Sequence, residues 1–134
     1  MEPVKIGDQK HLNILLVEDN KVNQIFTLGL LRNLGYKCDL ASDGKLAVEA
    51  VETKNYDLIL MDCQLPVMDG YTAASIIKKR VGAKTILVAN TAHTSEREML
   101  RCKEAGMQFV LAKPTSIDSL KDILIQVYGC LHSI

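Results

Sequence analysis

The sequence has 134 residues and a mass of 14.8 kDa, enough for one domain with a single substantial core. Hydrophobic residues make up 48% and charged residues 24%, which excludes a disordered chain and favours a globular protein. The 16 basic residues balance the 16 acidic ones, so no global field draws the chain to nucleic acid or an anionic bilayer. No apolar run approaches the roughly 20 residues that span a membrane. Residues 1–11 are polar and indicate a tail or the end of a linker, which leaves residues 12–134 as the domain.

The first third of the chain is predicted to form two strand–helix units. Residues 12–17 are apolar apart from Asn13 and predict a buried strand, which ends at Glu18-Asp19-Asn20. A helix follows, with apolar residues that share one side: Val22, Ile25, Phe26 and Leu30. It stops at Leu34-Gly35, and residues 36–41 predict a second, less buried strand. A second helix follows the turn at Ser42-Asp43-Gly44.

The third predicted strand is the centre of the pattern. Residues 58–61 contain no polar side chain, as expected for a strand that is buried on both faces of a parallel sheet. Asp62 then lies at the carboxyl end of this strand, where ligands bind in open α/β sheets. Pro66 and Asp69-Gly70 break the backbone and let a third helix begin. Taken alone, Asp62 is either an ordinary turn aspartate or a chemical residue.

Two further strand–helix units complete the domain. Residues 85–89 predict a strand that ends at Asn90-Thr91, and a capping box at Ser95–Glu98 begins the next helix. Residues 108–112 predict the fifth strand, which ends at Lys113-Pro114 before the last helix. Strands that alternate with helices predict an α/β fold with a parallel sheet and right-handed crossovers. We therefore predict a flavodoxin-like (βα)5 three-layer sandwich with strand order 2-1-3-4-5.

Polar residues gather where the predicted strands end. Glu18-Asp19, Asp62, Thr91 and Lys113 each follow a strand, so they should meet at one edge of the sheet. Each alone has a plain structural explanation, as a cap, a turn hydroxyl or a surface charge. Carboxylates a few ångströms apart repel unless a cation neutralises them, and Mg²⁺ prefers oxygen ligands. A carboxylate that faces a metal, a lysine and a hydroxyl is suited to accept a phosphoryl group.

These motifs resemble the receiver domain of two-component response regulators, and most of all the receivers attached to hybrid sensor histidine kinases. The resemblance is carried by ILLVEDNKVNQ, DLILMDCQLPVMDGY, NTAH and GMQFVLAKP, which have the family's order and spacing over about residues 12–131. It implies a phosphorelay domain in which Asp62 takes a phosphoryl group from a phosphohistidine in a reaction that needs Mg²⁺ or Mn²⁺. The donor would be a histidine kinase or a histidine phosphotransfer protein, and the aspartyl phosphate would change partner binding.

The resemblance also implies a role for each residue of the site. The metal ligands would be Glu18 (through water), Asp19, Asp62 and the backbone carbonyl of Gln64. Thr91 and Lys113 would contact the phosphoryl group on Asp62. Ala92 is small enough to leave room for the donor histidine, and Pro114 would fix the turn after the lysine, in the family often through a cis peptide bond. His93 and Gln64 occupy rim positions that tune phosphate lifetime in the family.

One position departs from the family pattern. The aromatic residue that often lies three positions before the lysine is Val110 here, and the neighbouring Phe109 should face the other side of the strand. Without that aromatic, a shape change on phosphorylation would run through the loop after Thr91 and the fourth helix.

The four cysteines are far apart and form no zinc-binding or Cys-X-X-Cys spacing: Cys38, Cys63, Cys102 and Cys130. We expect them to be reduced and mostly buried in a cytoplasmic protein, which would be tethered to a membrane only as part of a longer sensor kinase. Cys63 has two interpretations, because it neighbours Asp62: a packing residue, or a redox or modification site. The sequence leaves open whether the chain is a stand-alone regulator or a piece of a hybrid kinase, and the VNQ and MDCQLPVMDG stretches favour the second.

Three other functions fit parts of the pattern. A hydrolase with an aspartyl nucleophile would need a general acid two residues after Asp62, where this chain has Gln64. A flavin-binding electron carrier would need a hydroxyl- and glycine-rich loop after the first strand, where Glu18-Asp19-Asn20 would repel a phosphate. An inactive receiver that serves only as a docking module is favoured by Val110 and disfavoured by the complete set of acids, threonine and lysine. We expect no direct binding to nucleic acid and no membrane insertion.

Overall fold

The structure, a computed structural model, describes residues 12–132. The predicted tail at residues 1–11 lies outside this range, as do residues 133–134. Within the described range, no helix combines the length and the apolar character that crossing a membrane requires.

Five strands and five helices alternate along residues 12–132. The strands are β1 (Ile14–Val17), β2 (Cys38–Ala41), β3 (Leu58–Asp62), β4 (Ile86–Thr91) and β5 (Phe109–Ala112). The helices are α1 (Lys21–Asn33), α2 (Gly44–Thr53), α3 (Gly70–Val81), α4 (Glu96–Glu104) and α5 (Ile117–Leu131), and a 3-10 turn at Gly82–Lys84 follows α3. All neighbouring strands pair in parallel, in the order β2-β1-β3-β4-β5. The predicted fold and strand order are confirmed.

The sheet separates two apolar cores. Successive side chains of a strand point to opposite faces, so β3 sends Ile59 and Met61 to one core and Leu58 and Leu60 to the other. The first core contains buried residues of α2, α3 and α4, and the second contains those of α1 and α5. Every residue of β3 is buried, which explains why its sequence is uniformly apolar up to the final aspartate.

Helix α1 does not bury the apolar residues that identify it in the sequence. Val22 and Ile25 are 74% and 72% exposed, and Phe26 is half exposed. The buried residues of this helix are Gln24, Thr27 and Leu31. Gln24 can be buried because its side-chain amide donates a hydrogen bond to the backbone carbonyl of Glu18, 2.7 Å away. Apolar spacing usually marks the face that packs on the core, and for most of this helix it marks the opposite face. We call Val22, Ile25 and Phe26 the α1 patch.

The start of α4 differs from its predicted capping box. The hydroxyl of Ser95 accepts a hydrogen bond from the backbone N–H of Glu98, as predicted. The carboxylate of Glu98 does not return to the cap, because it accepts a hydrogen bond from the hydroxyl of Tyr71 on α3. A complete capping box occurs instead at the start of α5, between Ser116 and Ser119. The glutamate of α4 therefore joins two helices rather than closing one.

Candidate functional site

Three carboxylates meet at the carboxyl ends of β1 and β3. The two strands pair with Val17 opposite Met61, so the residues that follow, Glu18 and Asp62, lie side by side. One oxygen from each of Glu18, Asp19 and Asp62 lies within 4.8 Å of the others. Glu18 and Asp62 are only 1% and 5% exposed, whereas Asp19 faces solvent. The predicted convergence of these acids is therefore present in the structure.

Lys113 crosses the sheet edge from the end of β5 to reach two of these acids. Its ammonium nitrogen lies 2.9 Å from Glu18 Oε1 and 3.1 Å from Asp62 Oδ2. Burial lowers the pKa of Lys113, but the hydrogen bonds and negative charge of Glu18 and Asp62 outweigh this and hold the pKa above its usual value. Three carboxylates against one ammonium leave a surplus of negative charge at the site, and a divalent cation is the counter-ion that such a set of oxygens fits.

Backbone groups orient the two buried carboxylates. The second oxygen of Glu18 accepts a hydrogen bond from the N–H of Asn20, 3.1 Å away. Asp62 Oδ1 accepts one from the N–H of Gln64 at 3.0 Å, while its Oδ2 contacts Lys113. The side chain of Gln64 is exposed on the rim. Asp62 therefore has one oxygen held by the loop that follows it and the other by the lysine.

Gly70 has a part in the site that its sequence context does not reveal. A Cβ added to this residue would come 2.1 Å from the backbone oxygen of Asp62 and 2.7 Å from the Cα of Cys63. Its N–H also donates to the carbonyl of Cys63 at 3.2 Å. The Asp69-Gly70 pair indicates a turn, but the close approach to the strand end is a tertiary contact. Only glycine lets α3 begin this near Asp62.

The remaining predicted residues lie around the acids. Thr91 is buried, and its hydroxyl oxygen accepts a hydrogen bond from the N–H of His93 at 3.0 Å. The backbone N–H of Lys113 donates to the carbonyl of Thr91 at 2.8 Å, which ties the ends of β4 and β5 together. Ala92 and His93 are exposed, and His93 lies outside the cluster of three acids. The peptide bond between Lys113 and Pro114 is cis.

Val110 and Phe109 point to opposite faces of β5, as predicted. Val110 packs against the core on the α3 and α4 side, and Phe109 packs against the other core. Position 110 therefore has the inward orientation that the family's aromatic residue would need, but it holds a smaller side chain.

A second cluster lies just behind the acids and was not predicted. The sulfur atoms of Cys63 and Cys102 are 3.9 Å apart, and both residues are buried. The hydroxyl of Tyr71 donates to Glu98, and the guanidinium of Arg101 lies 4.0 Å from the centre of the Tyr71 ring. Burial, followed by the nearby Cys102, raises the pKa of the Cys63 thiol to about 12. These contacts join residues that are far apart in the chain, so no local spacing predicts them.

Comparison with models of known protein families identifies the family of this chain. The model of the response regulator receiver domain matches residues 14–125. The chain belongs to the family of response regulator receiver domains. This confirms the predicted resemblance.

Curated relatives of this receiver domain are much longer proteins. The chain is 40% identical over 129 residues to hybrid signal transduction histidine kinase G of Dictyostelium discoideum. The matched region covers 93% of the chain but 4% of the kinase. It is 33% identical over 119 residues to the sensor histidine kinase RcsC of Escherichia coli K12, and this matched region covers 89% of the chain and 12% of RcsC. The receiver domain thus corresponds to a small part of each kinase.

Solved structures give the same assignment. The receiver domain of the sensor histidine kinase PA1611 from Pseudomonas aeruginosa is 44% identical with a TM-score of 0.82, covering 88% of this chain and 98% of that one. That structure has a magnesium ion coordinated in its active-site cleft. The co-crystal structure of the Saccharomyces cerevisiae phosphotransfer protein Ypd1 with the Ssk1 receiver domain matches at 31% identity and a TM-score of 0.81, with 92% of each chain covered.

Proposed function

We propose that Asp62 of this receiver domain accepts a phosphoryl group from a phosphohistidine, and that the aspartyl phosphate changes what the domain binds. The observation that carries the proposal is the ammonium of Lys113 between the buried carboxylates of Glu18 and Asp62. Burying two like charges costs free energy. A site that receives a metal and a phosphoryl group gives both carboxylates and the lysine a purpose.

Magnesium is the metal that these residues fit. Asp19, Asp62 and Glu18 supply hard carboxylate oxygens, and the exposure of Asp19 leaves room for the waters that Mg²⁺ retains. We assign these three acids and the backbone carbonyl of Gln64 as its ligands; Mn²⁺ prefers similar ligands. When bound, the ion neutralises negative charge on the transferring phosphoryl group. The magnesium ion in the PA1611 receiver domain supports this assignment.

The residues of the chain have distinct tasks in the transfer. A carboxylate oxygen of Asp62 attacks phosphorus, and the bond from phosphorus to the donor's imidazole nitrogen breaks, leaving its electron pair on that nitrogen. Lys113, already beside Asp62 Oδ2, then pairs with a phosphoryl oxygen. The Thr91 oxygen accepts from His93, so its hydroxyl hydrogen is directed elsewhere and can donate to the phosphoryl group. Ala92 keeps the approach open.

The α1 patch is the proposed docking surface for the phosphodonor. It follows Glu18-Asp19-Asn20 directly in the chain, and Phe26 lines a small crevice together with Lys113 and Pro114. The patch is therefore continuous with the phosphoacceptor site. Exposed apolar patches of this kind mark interfaces between proteins. A histidine phosphotransfer protein, or the phosphohistidine domain of a kinase, that packs here can bring its histidine to Asp62; Ypd1 and the Ssk1 receiver domain crystallise together.

Labelling with a small phosphodonor tests the chemistry at Asp62. Acetyl phosphate with Mg²⁺ should add one phosphoryl group to the wild-type chain, detected by intact mass, and EDTA should abolish the addition. Asp62→Asn should abolish it too, because the amide cannot attack phosphorus. Glu49→Gln on the exposed surface of α2 is the matched control and should label normally. Undiminished labelling of Asp62→Asn would contradict the proposal, and an unlabelled wild type would indicate a docking module instead.

A further inference from the structure

Two cysteines contact each other directly behind the phosphoacceptor. Cys63 follows Asp62 in the chain, and Cys102 lies on α4. Their sulfur atoms are 3.9 Å apart, and each residue is only 1% exposed. They are 39 residues apart in sequence, so the contact joins the end of β3 to a separate helix. Phosphoryl transfer as proposed above uses neither thiol.

Helix α4 is held to the domain by few contacts. Cys102 is its one buried residue. The other contacts of α4 described above go to a single side chain: the Glu98 carboxylate and the Arg101 guanidinium both contact Tyr71. An element with so little buried surface separates locally at low free energy, which gives small molecules transient access to the thiols beneath it.

We propose that Cys63 and Cys102 form an intramolecular disulfide when the protein meets a peroxide, and that this bond fastens α4 to the loop after Asp62. The sulfur atoms must approach from 3.9 Å to the bond length of about 2.05 Å, a movement that a loosely anchored helix can supply. The bond would link α4 covalently to the rest of the domain through Cys102, the one buried residue of this helix. An effect of the disulfide on signalling rests on the proposed function. If phosphorylation acts through α4, the disulfide of the oxidised protein holds that helix in one position.

The oxidation balances with hydrogen peroxide as the oxidant. When α4 has separated and water reaches the thiols, the burial that disfavours the thiolate is removed, and one cysteine sulfur attacks a peroxide oxygen. The O–O bond breaks, and a sulfenic acid and one water form. The second sulfur attacks the sulfenic sulfur and expels the hydroxyl group as a second water. The two thiols together lose two electrons and two protons, and the peroxide is reduced. A dithiol such as dithiothreitol reverses the reaction by exchange.

A variant that keeps only these two cysteines isolates the reaction. In Cys38→Ala/Cys130→Ala, thiols titrated in denaturant should fall from two to none after peroxide treatment and return with dithiothreitol. Digestion without reductant should yield one peptide pair joined through Cys63 and Cys102. The wild-type chain should give the same pair, which guards against a folding defect in the variant. Persistence of both thiols, or cross-links only between molecules, would overturn the proposal.

Hydrogen exchange tests whether the bond fastens α4. Amide exchange in residues 96–104 should slow several-fold in the disulfide form and recover on reduction. Cys102→Ala under the same peroxide should show no such slowing. Unchanged exchange of α4 in protein that carries the disulfide would overturn the fastening. Neither measurement requires phosphorylation, so a failure of labelling at Asp62 in the reduced protein would count against the proposed function alone.

Discussion

Lys113 is the residue on which the charge balance of the site depends. It is the partner of both Glu18 and Asp62, and these carboxylates are almost completely buried. Removing one member of a buried ion pair is costly, because the remaining charge stays in a medium that solvates it poorly. An exposed ion pair has no such penalty, because water and salt screen it. The two situations occur in the same domain and can be compared.

Lys113→Met should lower the free energy of unfolding by about 3 kcal/mol in EDTA, because it leaves two buried carboxylates without their counter-charge. Mg²⁺ should restore part of this loss by neutralising the same acids. Urea unfolding with and without Mg²⁺ measures both effects. Lys54→Met is the control: Lys54 pairs with Asp39 at 2.8 Å on the surface, so its removal should cost under about 1 kcal/mol. Equal losses in the two variants would contradict the role assigned to Lys113.

A site residue can be predicted from the sequence when it lies at the end of a recognisable strand. Asp62, Thr91 and Lys113 are recognisable because each ends or follows an apolar run, and parallel strands bring such positions to one edge. The sequence indicates only a turn at Gly70, since the clash that excludes a side chain there comes from Asp62 and Cys63 across the loop. Sequence spacing shows which residues lie at the ends of strands, whereas a steric limit such as the one at Gly70 depends on the packing of the folded chain.

At the level of elements, α3 depends on an aspartate at its start. Asp69 caps the helix, accepting hydrogen bonds from the backbone N–H of Thr72 at 2.9 Å and from its hydroxyl at 3.1 Å. The backbone hydrogen bond from Thr72 is the main cause that lowers the pKa of Asp69 below its usual value. A folded-state pKa below the unfolded one means that Asp69 stabilises the fold above the ordinary aspartate pKa. This contribution is lost as the pH falls through the lowered pKa.

Asp69→Ala should therefore cost about 1 kcal/mol at neutral pH, the usual value of a helix cap. The difference from wild type should begin to shrink below the ordinary aspartate pKa of 3.8, where the unfolded chain takes up a proton, and should be lost as the pH falls through the lowered pKa of the folded state. Asp69→Asn should keep most of the stability, because an amide oxygen can cap, and should remove this part of the pH dependence. Urea unfolding at neutral pH and at a series of pH values below 3.8 measures both. Asp122→Ala, at an exposed position of α5, should change stability by under about 0.5 kcal/mol.

The helices also show where periodicity misleads. The strands and their order were predictable because five apolar runs alternate with helical patterns. For α1 the apolar spacing marks mainly the exposed face, since Gln24 and Thr27 take buried positions that the local pattern assigns to polar surface. For α4 the predicted capping glutamate bonds to Tyr71 instead. In α1 a hydrogen bond to the preceding loop outweighs the local preference, and in α4 a contact with another helix does so; a single sequence contains no record of either contact.

For the whole molecule, the absence of net charge limits how a partner can be recognised. With equal numbers of acidic and basic residues, no long-range field steers a partner to the domain. Specific binding must then come from a local surface, and apolar area gives such a surface its affinity. The α1 patch is next to the acids, whereas the exposed Ile125 lies on α5. The described part of the chain therefore offers two exposed isoleucines for comparison, Ile25 in the α1 patch beside the site and Ile125 on another helix.

Ile25→Lys should lower the rate of transfer from a phosphorylated histidine phosphotransfer protein by about tenfold, which corresponds to about 1.4 kcal/mol of lost interface energy. Acetyl phosphate is too small to need the patch, so labelling of the same variant by this donor should be unchanged. Ile125→Lys places the same charge on α5 and should alter neither reaction. Rapid-quench transfer assays against both donors make the comparison. A similar loss with both donors would mean that Ile25→Lys damages the acceptor site itself, and an unaffected transfer rate would place the docking surface elsewhere.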